Sequence, residues 1–240
     1  MFSYDAALLA AVRTPVATVA DVIHVMQTVD DTCVEGDGLK WFNWLYSQVT
    51  QSVEARIAGG GFASTAWLST LDVQFAQLYF SAAAAFLQGQ PCPGCWNALF
   101  LCRDQSRIAR IQFALAGISA HINHDLPEAL VATAAIRNVV PQHGSAQYND
   151  YTALNSTLDS LVAAAQKTLH VRLLGDPLPA VSRLEDTIAA WDVKVAREQA
   201  WTNSEILWSL RGTPSLAKGF TDTLDGLTTV AGKALLVPVP

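Results

Sequence analysis

The chain has 240 residues, of which 51% are hydrophobic and only 15% are charged. This length allows one large domain or two small ones with a substantial core, and the low charged fraction leaves room for a subunit interface in a homo-oligomer. The formal net charge of −6, without a basic stripe, argues against nucleic acid as a partner. No basic segment precedes the first apolar run, and no apolar run reaches about 18 residues. We therefore expect a cytoplasmic protein without a signal peptide or membrane span.

Helical periodicity extends through nearly the whole chain, and no strand-like alternation persists for more than a few residues. Proline, glycine and acidic turns divide the pattern into segments. We predict helices over residues 3–12, 16–28, 38–58, 65–87, 96–100, 108–126, 127–138, 146–172, 180–200 with an extension towards 210, and 214–232. Ser64 or Thr65 is the expected cap of the fourth helix. The sequence thus predicts an all-α fold, residues 1–240 forming a single domain of about eight to ten helices in orthogonal or bundle packing.

The chain contains four cysteines, two of which form a CxxC motif, Cys92-Pro-Gly-Cys95. Zinc and redox sites use this spacing, but a structural zinc site needs a second CxxC or a pair of histidines at a matching distance. Neither is present. We therefore favour a Pro-Gly turn with incidental thiols over a zinc site or a redox pair.

The densest run of ligand-type side chains is His121-Ile-Asn-His-Asp125, at the end of an apolar helical segment. His121, His124 and Asp125 occupy positions i, i+3 and i+4, so in a helix they share one face. One turn earlier this face carries Gly117, whose small size predicts the close approach of another helix. Pro127 follows, and its ring opposes the carbonyl four residues back, so an interruption of the helix is expected.

Two interpretations of this cluster stay open. A His and an Asp one helical turn apart can both reach one metal ion, so His121 and Asp125 are candidate ligands of a divalent ion such as zinc, iron or manganese. The same pair can instead form a plain hydrogen bond in which Asp125 holds the imidazole, while His124 is exposed. Buried ionisable groups tend to cluster at functional sites, which keeps the first interpretation level with the second.

Asp72 is a second unusual carboxylate, because it lies in a helix that is otherwise rich in Leu, Phe, Tyr and Ala. Burial of a carboxylate is costly unless it has a partner. Asp72 can cap another element or pair with an arginine. It can also complete the site of His121 and Asp125 as a third metal ligand, and we expect it to lie within reach of them.

Further polar and aromatic side chains predict the walls of a substrate pocket. Asn43 and Tyr46 belong to a polar stripe on the helix over 38–58, although capping by Asp37 and a solvated face explain this stripe equally well. Arg197 lies four residues before Trp201 and can stack on its ring or pair with a buried carboxylate. The candidates for the pocket are Asn43, Tyr46, Trp191, Arg197 and Trp201.

Four stretches of the sequence carry a resemblance to a known family, and they are spread over most of the chain, at 37–50, 71–76, 120–126 and 196–201. The third has the sequence Ala120-His-Ile-Asn-His-Asp-Leu126. Together they resemble a bacterial helical family catalogued only as a domain of unknown function. This resemblance implies a helical fold and supplies no activity.

The His-x-x-x-Asp pair followed by a proline is also similar, more weakly, to an element of the zinc-dependent phospholipases C and the related helical single-strand nucleases. In those families a histidine follows that proline, whereas this chain has Glu128, Ala129 and Leu130. Their N-terminal Trp ligand is missing, and the later HxxxE pair has no counterpart, since His143 is followed by Gln147. The resemblance implies at most part of one metal site and not a trinuclear zinc centre.

The leading functional hypothesis is a small-molecule enzyme that performs metal-assisted hydrolysis or lyase chemistry on an ester or phosphoester. A metal ion held by His121, Asp125 and Asp72 would polarise the substrate and lower the pKa of bound water. Other candidates to orient the substrate or move protons are Asn123, His124 and Asp150, of which Asp150 begins a helix and is also a natural cap.

Two alternatives to metal chemistry are open. One is a cofactorless enzyme of secondary metabolism, a cyclase, isomerase or dehydratase that uses His121 and Asp125 as a general acid and base. The other is a helical protein that binds a hydrophobic ligand without catalysis, in which the His/Asp cluster is a buried network.

Overall fold

The structure is a computed structural model that describes residues 2–155, 158 and 192–238. Over these residues the chain is helical without a strand, which confirms the all-α fold class. The helices are α1 (Asp5–Val12), α2 (Val19–Thr32), α3 (Gly38–Ala58), α4 (Thr65–Leu87), α5 (Gly94–Leu101), α6 (Arg110–Ala120), α7 (Leu126–Arg137), α8 (Ala146–Ala153), α9 (Val193–Leu210) and α10 (Pro214–Leu235), with a π-helical turn, His121–Asp125, between α6 and α7. None of these described helices is long and apolar enough to cross a membrane.

Local capping explains several helix ends. α3 begins where predicted because the side chain of Asp37 accepts a hydrogen bond from the backbone N–H of Leu39. α4 differs from the prediction, because Ser64 makes no side-chain cap. The carboxylate of Asp150, on α8, accepts from the backbone N–H groups of Ala63 and Ser64 instead. A distant residue thus caps α4, and sequence near the helix does not reveal it.

Part of the predicted pattern falls outside the described residues. The helix predicted over 146–172 begins as α8 but ends at Ala153, with Leu154 as its C-cap, so the prediction of one uninterrupted helix is wrong. Residues 159–172, most of the helix predicted over 180–200 and the pocket candidate Trp191 lie outside the described residues. α9 continues past Asn203 to Leu210 without a break.

The described helices bury two apolar clusters. The first lies among α1 to α6 and the second among α3, α4, α7, α8 and α9, and both include Phe75 and Ile118 at their border. The close helix approach predicted at Gly117 is confirmed, because a Cβ atom there would overlap the ring of Phe42 on α3. The π turn lies where these two clusters meet, so its side chains are inside the protein.

A buried ion pair joins the beginning of α3 to the segment after α5. Arg103 and Asp37 are 5% and 0% exposed, and the guanidinium Nε donates to Asp37 Oδ1 at 3.0 Å. Tyr4 Oη donates to the same carboxylate at 2.9 Å, and Arg103 also pairs with Asp5 of α1 at 3.1 Å. Asp37 therefore serves as a cap and as the centre of a buried network, which corrects the view that it is an ordinary cap beside a solvated face.

Replacement of Arg103 by Leu should lower the free energy of unfolding by about 3–5 kcal/mol, because the Asp37 carboxylate would stay buried without its cation. Urea unfolding followed by far-UV circular dichroism measures this change. Asp222→Asn on α10 is the control, since its pair with Lys218 is exposed and should contribute less than about 1 kcal/mol. Equal losses in the two variants would contradict the assigned role of the buried pair.

Candidate functional site

The stretch His121–Asp125 adopts a π-helical turn rather than the end of a helix. The backbone N–H of Leu126 donates to the carbonyl of His121, five residues earlier, and Pro127 then lies in the first turn of α7. Because proline has no N–H to donate, a wider turn at this point lets the helix continue. The interruption expected at Pro127 is thus a local widening between two consecutive segments of helix.

This turn buries the carboxylate of Asp125 among three donors. His121 Nδ1 lies 2.9 Å from Oδ2, His124 Nδ1 lies 2.8 Å from Oδ1, and Trp96 Nε1 of α5 donates to Oδ2 at 2.9 Å. His121, His124 and Asp125 are 2%, 5% and 1% exposed. The prediction that His121 and Asp125 face the interior is confirmed, whereas the alternative of an exposed His124 is wrong.

Aromatic rings enclose the imidazole of His121. Phe75 stacks on it with ring centroids 3.4 Å apart and an interplanar angle of 8°, and Tyr46 contacts it edge-on at 4.4 Å. Phe42 and Trp96 complete this enclosure at 5.6 and 5.9 Å. His121 Nε2 is buried and has no hydrogen-bond partner. One ring nitrogen is therefore held by Asp125 and the other is free.

Burial and Asp125 set the charges of the two imidazoles. Burial lowers the pKa of His121 and outweighs the opposing effect of Asp125. Burial also disfavours the charged form of His124, but the hydrogen bond and charge of Asp125 outweigh it and raise the pKa of His124. Burial would raise the pKa of Asp125, yet the hydrogen bonds from the two histidines lower it. His121 is therefore neutral at neutral pH beside an ionised carboxylate, the state of a general base.

Asp72 is a residue of α4 and is not one of the hydrogen-bond partners of Asp125. Its Oδ2 atom is buried without a hydrogen-bond partner, and burial followed by the charge of Glu54 raises the pKa of Asp72 to about 7. Its charge also contributes to a high pKa of Tyr46, whose ring contacts His121. In the described part of the chain, Asp72 is not a hydrogen-bond partner of His121 or Asp125, in contrast to the predicted shared site.

The geometry of the described residues does not bring the predicted metal ligands together, and the metal site stays a prediction. Among residues 2–155, 158 and 192–238, no three His, Cys, Asp or Glu side chains are grouped so that they could hold a metal ion. Both oxygens of Asp125 already accept hydrogen bonds from ring nitrogens. The donor set therefore fits a carboxylate that orients imidazoles better than one that ligates a metal.

Two predicted catalytic residues have structural partners. Asn123 is half-buried, and its amide donates to Ser119 Oγ at 3.2 Å, one turn earlier. Asp150 caps α4, and among the described residues the hydrogen bonds of its carboxylate go to Ala63 and Ser64 rather than to the His/Asp cluster. These contacts explain both side chains structurally and do not indicate a catalytic role for either.

The predicted pocket residues are dispersed. Asn43 donates to the carbonyl of Met26 and fastens α3 to α2, whereas Tyr46 contacts His121. Arg197 stacks on Tyr151 at 3.9 Å and donates to its carbonyl, so the predicted partner of Arg197, Trp201, is not the ring that it covers. Trp201 is fully buried in the second apolar cluster. Only Tyr46 of the described candidates lies against the His/Asp cluster.

Sequence reasoning missed three contributors to this site. Trp96 is a buried indole, and a buried indole needs an acceptor, which is a usable signal. Glu128, whose Oε1 lies 3.6 Å from His124 Nε2, follows that histidine by four residues and was equally recognisable. Phe75 gave no signal, because a phenylalanine that covers an imidazole has the same spacing as one in the core. The CxxC motif forms the start of α5 rather than the predicted Pro-Gly turn, and the backbone N–H groups of Gly94 and Cys95 donate to Asp225.

A second, half-exposed cluster joins the loop before α8 to α9. His143 Nδ1 lies 2.8 Å from Glu205 Oε1, and His143 Nε2 lies 2.8 Å from Glu198 Oε1. Tyr148 Oη donates to Glu198 at 3.0 Å. The hydrogen bond to Glu198 is the main cause that raises the pKa of His143 above 6.5, with Glu205 adding to it. Both ring nitrogens have carboxylate partners, so the imidazolium is the form that this cluster stabilises.

The contribution of His143 to stability should decrease as the pH rises. A raised pKa in the folded state gives stabilisation that is complete below the unfolded pKa and is lost as the pH passes through the folded pKa. The difference in free energy of unfolding between the wild type and His143→Gln should therefore be largest near about pH 6 and shrink towards about pH 9. Urea unfolding at several pH values measures it, with exposed His24→Gln as control. A difference that grows with pH would contradict the assignment.

Comparison with known proteins places the chain in a family without assigning a function. No curated protein and no solved structure matches the chain. One family model, described as a family of unknown function (DUF5995), matches residues 19–238 and so spans α2 to α10 with the π turn at its centre. The resemblance inferred from the AHINHDL stretch is thereby confirmed, and the chain belongs to the DUF5995 family.

Proposed function

We propose that the protein is a small-molecule enzyme in which His121 transfers a proton and Asp125 orients it. The observation that carries the proposal is the difference between the two ring nitrogens of His121. Nδ1 is held by Asp125, whereas Nε2 is buried without a hydrogen-bond partner. A native protein rarely leaves a buried polar atom unpaired without a reason. A bound substrate would provide the missing hydrogen-bond partner of Nε2.

The chain's own residues define a general-base mechanism. The Asp125 carboxylate accepts the Nδ1 proton of His121, which fixes the tautomer with a lone pair on Nε2. Nε2 removes a proton from the substrate, and the carboxylate stabilises the resulting imidazolium. The imidazolium then donates this proton to a different atom of the substrate, which is a carbon in an isomerisation and a hydroxyl that leaves as water in a dehydration. The reaction class is therefore isomerisation, dehydration or cyclisation.

The metal-assisted alternative requires Asp125 as a ligand, and the geometry favours the cofactorless hypothesis instead. A metal bound by Asp125 would have to displace donors such as Trp96 Nε1 or His124 Nδ1. In the acid–base hypothesis the same donors have a purpose, because they hold the carboxylate in place and keep it ionised. Tight hydrogen bonding of the orienting carboxylate thus supports a positioning role.

Access to the reactive nitrogen depends on movement of the surrounding side chains. His121 is 2% exposed, so a substrate reaches Nε2 only when a covering ring is displaced. Phe75 lies flat on the imidazole and is itself only half-buried, at the border of the two apolar clusters. Phe75 is therefore the covering ring that we expect to move, and the remaining apolar enclosure then excludes water from the reacting atoms.

Solvent-deuterium exchange tests the proposal and does not require that the product be identified. The protein is incubated in D₂O with a panel of small ketones, aldehydes and hydroxy acids, and mass spectrometry measures deuterium incorporated at carbon. The wild type should catalyse exchange in at least one compound. His121→Gln should reduce the rate by about 10²–10⁴-fold, the usual contribution of a general base. Asp125→Asn should also reduce it, because the amide does not hold the same tautomer.

Two variants control for indirect effects. His24→Gln removes an exposed imidazole of α2 and should exchange at the wild-type rate. Phe75→Leu keeps an apolar cover and should alter the KM more than the maximal rate. Exchange that is unaffected by His121→Gln would refute the general-base role. Binding of hydrophobic ligands without exchange by any panel member would favour the non-catalytic alternative.

A further inference from the structure

A groove of about 240 Å³ lies between α4 and α7, beside the His/Asp cluster. The residues that line it are Gln74, Gln77, Leu78 and Ser81 of α4 and Glu128, Ala129 and Ala132 of α7. Glu128 and Ala129 follow His124 and Asp125 by four residues, so the groove begins about one helical turn after the cluster. The two small alanine side chains leave this space open on the side of α7.

A donor and an acceptor lie close together at the Glu128 end of the groove without forming a hydrogen bond. His124 Nε2 is 3.6 Å from Glu128 Oε1, beyond the roughly 2.7–3.2 Å of an N–H···O bond. Asp125 holds Nδ1 of the same imidazole, which is 5% exposed, whereas the side chain of Glu128 is 32% exposed. Within the described residues, neither Nε2 nor the Glu128 carboxylate has a hydrogen-bond partner. A bound atom can therefore bridge the two groups.

The protonation of this pair defines which chemical group can bridge it. Burial disfavours the charge of His124, but its hydrogen bond to Asp125 and the charges of Glu128 and Asp225 raise its pKa. Near about pH 6.5 the ring is thus protonated on both nitrogens, so Nε2 is a donor, while ionised Glu128 is an acceptor. An ammonium group has no lone pair for Nε2–H, and an anion offers Glu128 no donor and is repelled. A hydroxyl group satisfies both partners.

The α4 wall of the groove extends this preference. Gln74 Nε2 donates to Gln77 Oε1 at 3.2 Å, and the exposed hydroxyl of Ser81 lies one turn further along. Amides and hydroxyls both donate and accept, whereas Leu78 and the two alanines present apolar surface to carbon atoms.

We propose that the groove between α4 and α7 binds a small polyhydroxylated molecule, with one hydroxyl between His124 Nε2 and Glu128 Oε1. The volume of about 240 Å³ is below the roughly 300–1,000 Å³ of drug-sized sites, which limits the ligand to a short polyol or a single sugar ring. This inference goes beyond the proposed function, because it does not depend on proton transfer by His121.

Erythritol is the probe for this groove, and 1,2-dimethoxyethane, which accepts hydrogen bonds but donates none, is its control. Each is added to the ¹⁵N-labelled full chain at about pH 6.5 and up to about 100 mM, and NMR spectra are recorded. Erythritol should shift the backbone amide signals of the groove residues and the ring signals of His124 in a saturable manner. Dimethoxyethane should not. The absence of saturable shifts with erythritol, or identical shifts with both compounds, would overturn the proposal.

Three variants of α7 test the location. Ala132→Leu fills the groove and Glu128→Met removes the acceptor, and each should raise the dissociation constant of erythritol by about tenfold or more. Ala135→Leu adds the same side chain at an exposed position outside the groove and should leave the constant unchanged. Far-UV circular dichroism verifies that all three fold. An unchanged constant in Ala132→Leu would place erythritol elsewhere, and an unchanged constant in Glu128→Met would refute the bridging hydroxyl.

His121→Gln separates this proposal from the proposed function. The variant should lose deuterium exchange yet bind erythritol with the wild-type dissociation constant, since His121 does not line the groove. A protein that exchanges deuterium but does not bind erythritol would refute the polyol site and leave the role of His121 standing. Binding of erythritol without exchange would refute general-base catalysis and leave the polyol site standing.

Discussion

The buried carboxylate of Asp125 is the constraint on which the centre of this structure depends. It accepts from His121, His124 and Trp96, which belong to the π turn and to α5. In a regular α-helix adjacent residues do not face each other, so one carboxylate would not meet both histidines. The π turn removes this restriction by adding one residue to the turn. The backbone irregularity is therefore what allows a single carboxylate to hold two imidazoles and to bind α5 to the end of α6.

The π turn both accommodates Pro127 in the helix and forms the His/Asp cluster. Proline deprives the helix of one donor, and the hydrogen bond from Leu126 to His121 replaces the regular pattern around it. Single π turns inside α-helices occur often at functional sites. Here the turn places His121 where the two apolar clusters meet, with one ring nitrogen held and the other unsatisfied. A protein selected for stability alone would fill such a position with an apolar residue.

The fold was predictable because its signals are local. Glycines, prolines and the cap at Asp37 fix the ends of α3 and its neighbours, and the helical period is clear throughout. The His121–Asp125 contact was likewise predictable, since four-residue spacing brings these side chains together in almost any helix. The partners that come from elsewhere in the chain were not. Trp96 reaches Asp125 from α5, Arg103 reaches Asp37 from the segment after α5, and Asp150 caps α4 from α8.

The small number of Lys and Arg residues explains why the buried carboxylates have different kinds of partner. The chain has 15 Lys and Arg residues, and two of its buried arginines are already engaged, Arg103 with Asp37 and Arg197 with Tyr151 and Asn155. Two imidazoles and an indole hold Asp125 instead, and their hydrogen bonds keep its pKa low while it raises the pKa of His124. Asp72 has neither arrangement, and its pKa of about 7 expresses that deficit. Among the described residues, the buried acids that have partners thus hold helices together, whereas burial and the charge of Glu54 raise the pKa of Asp72.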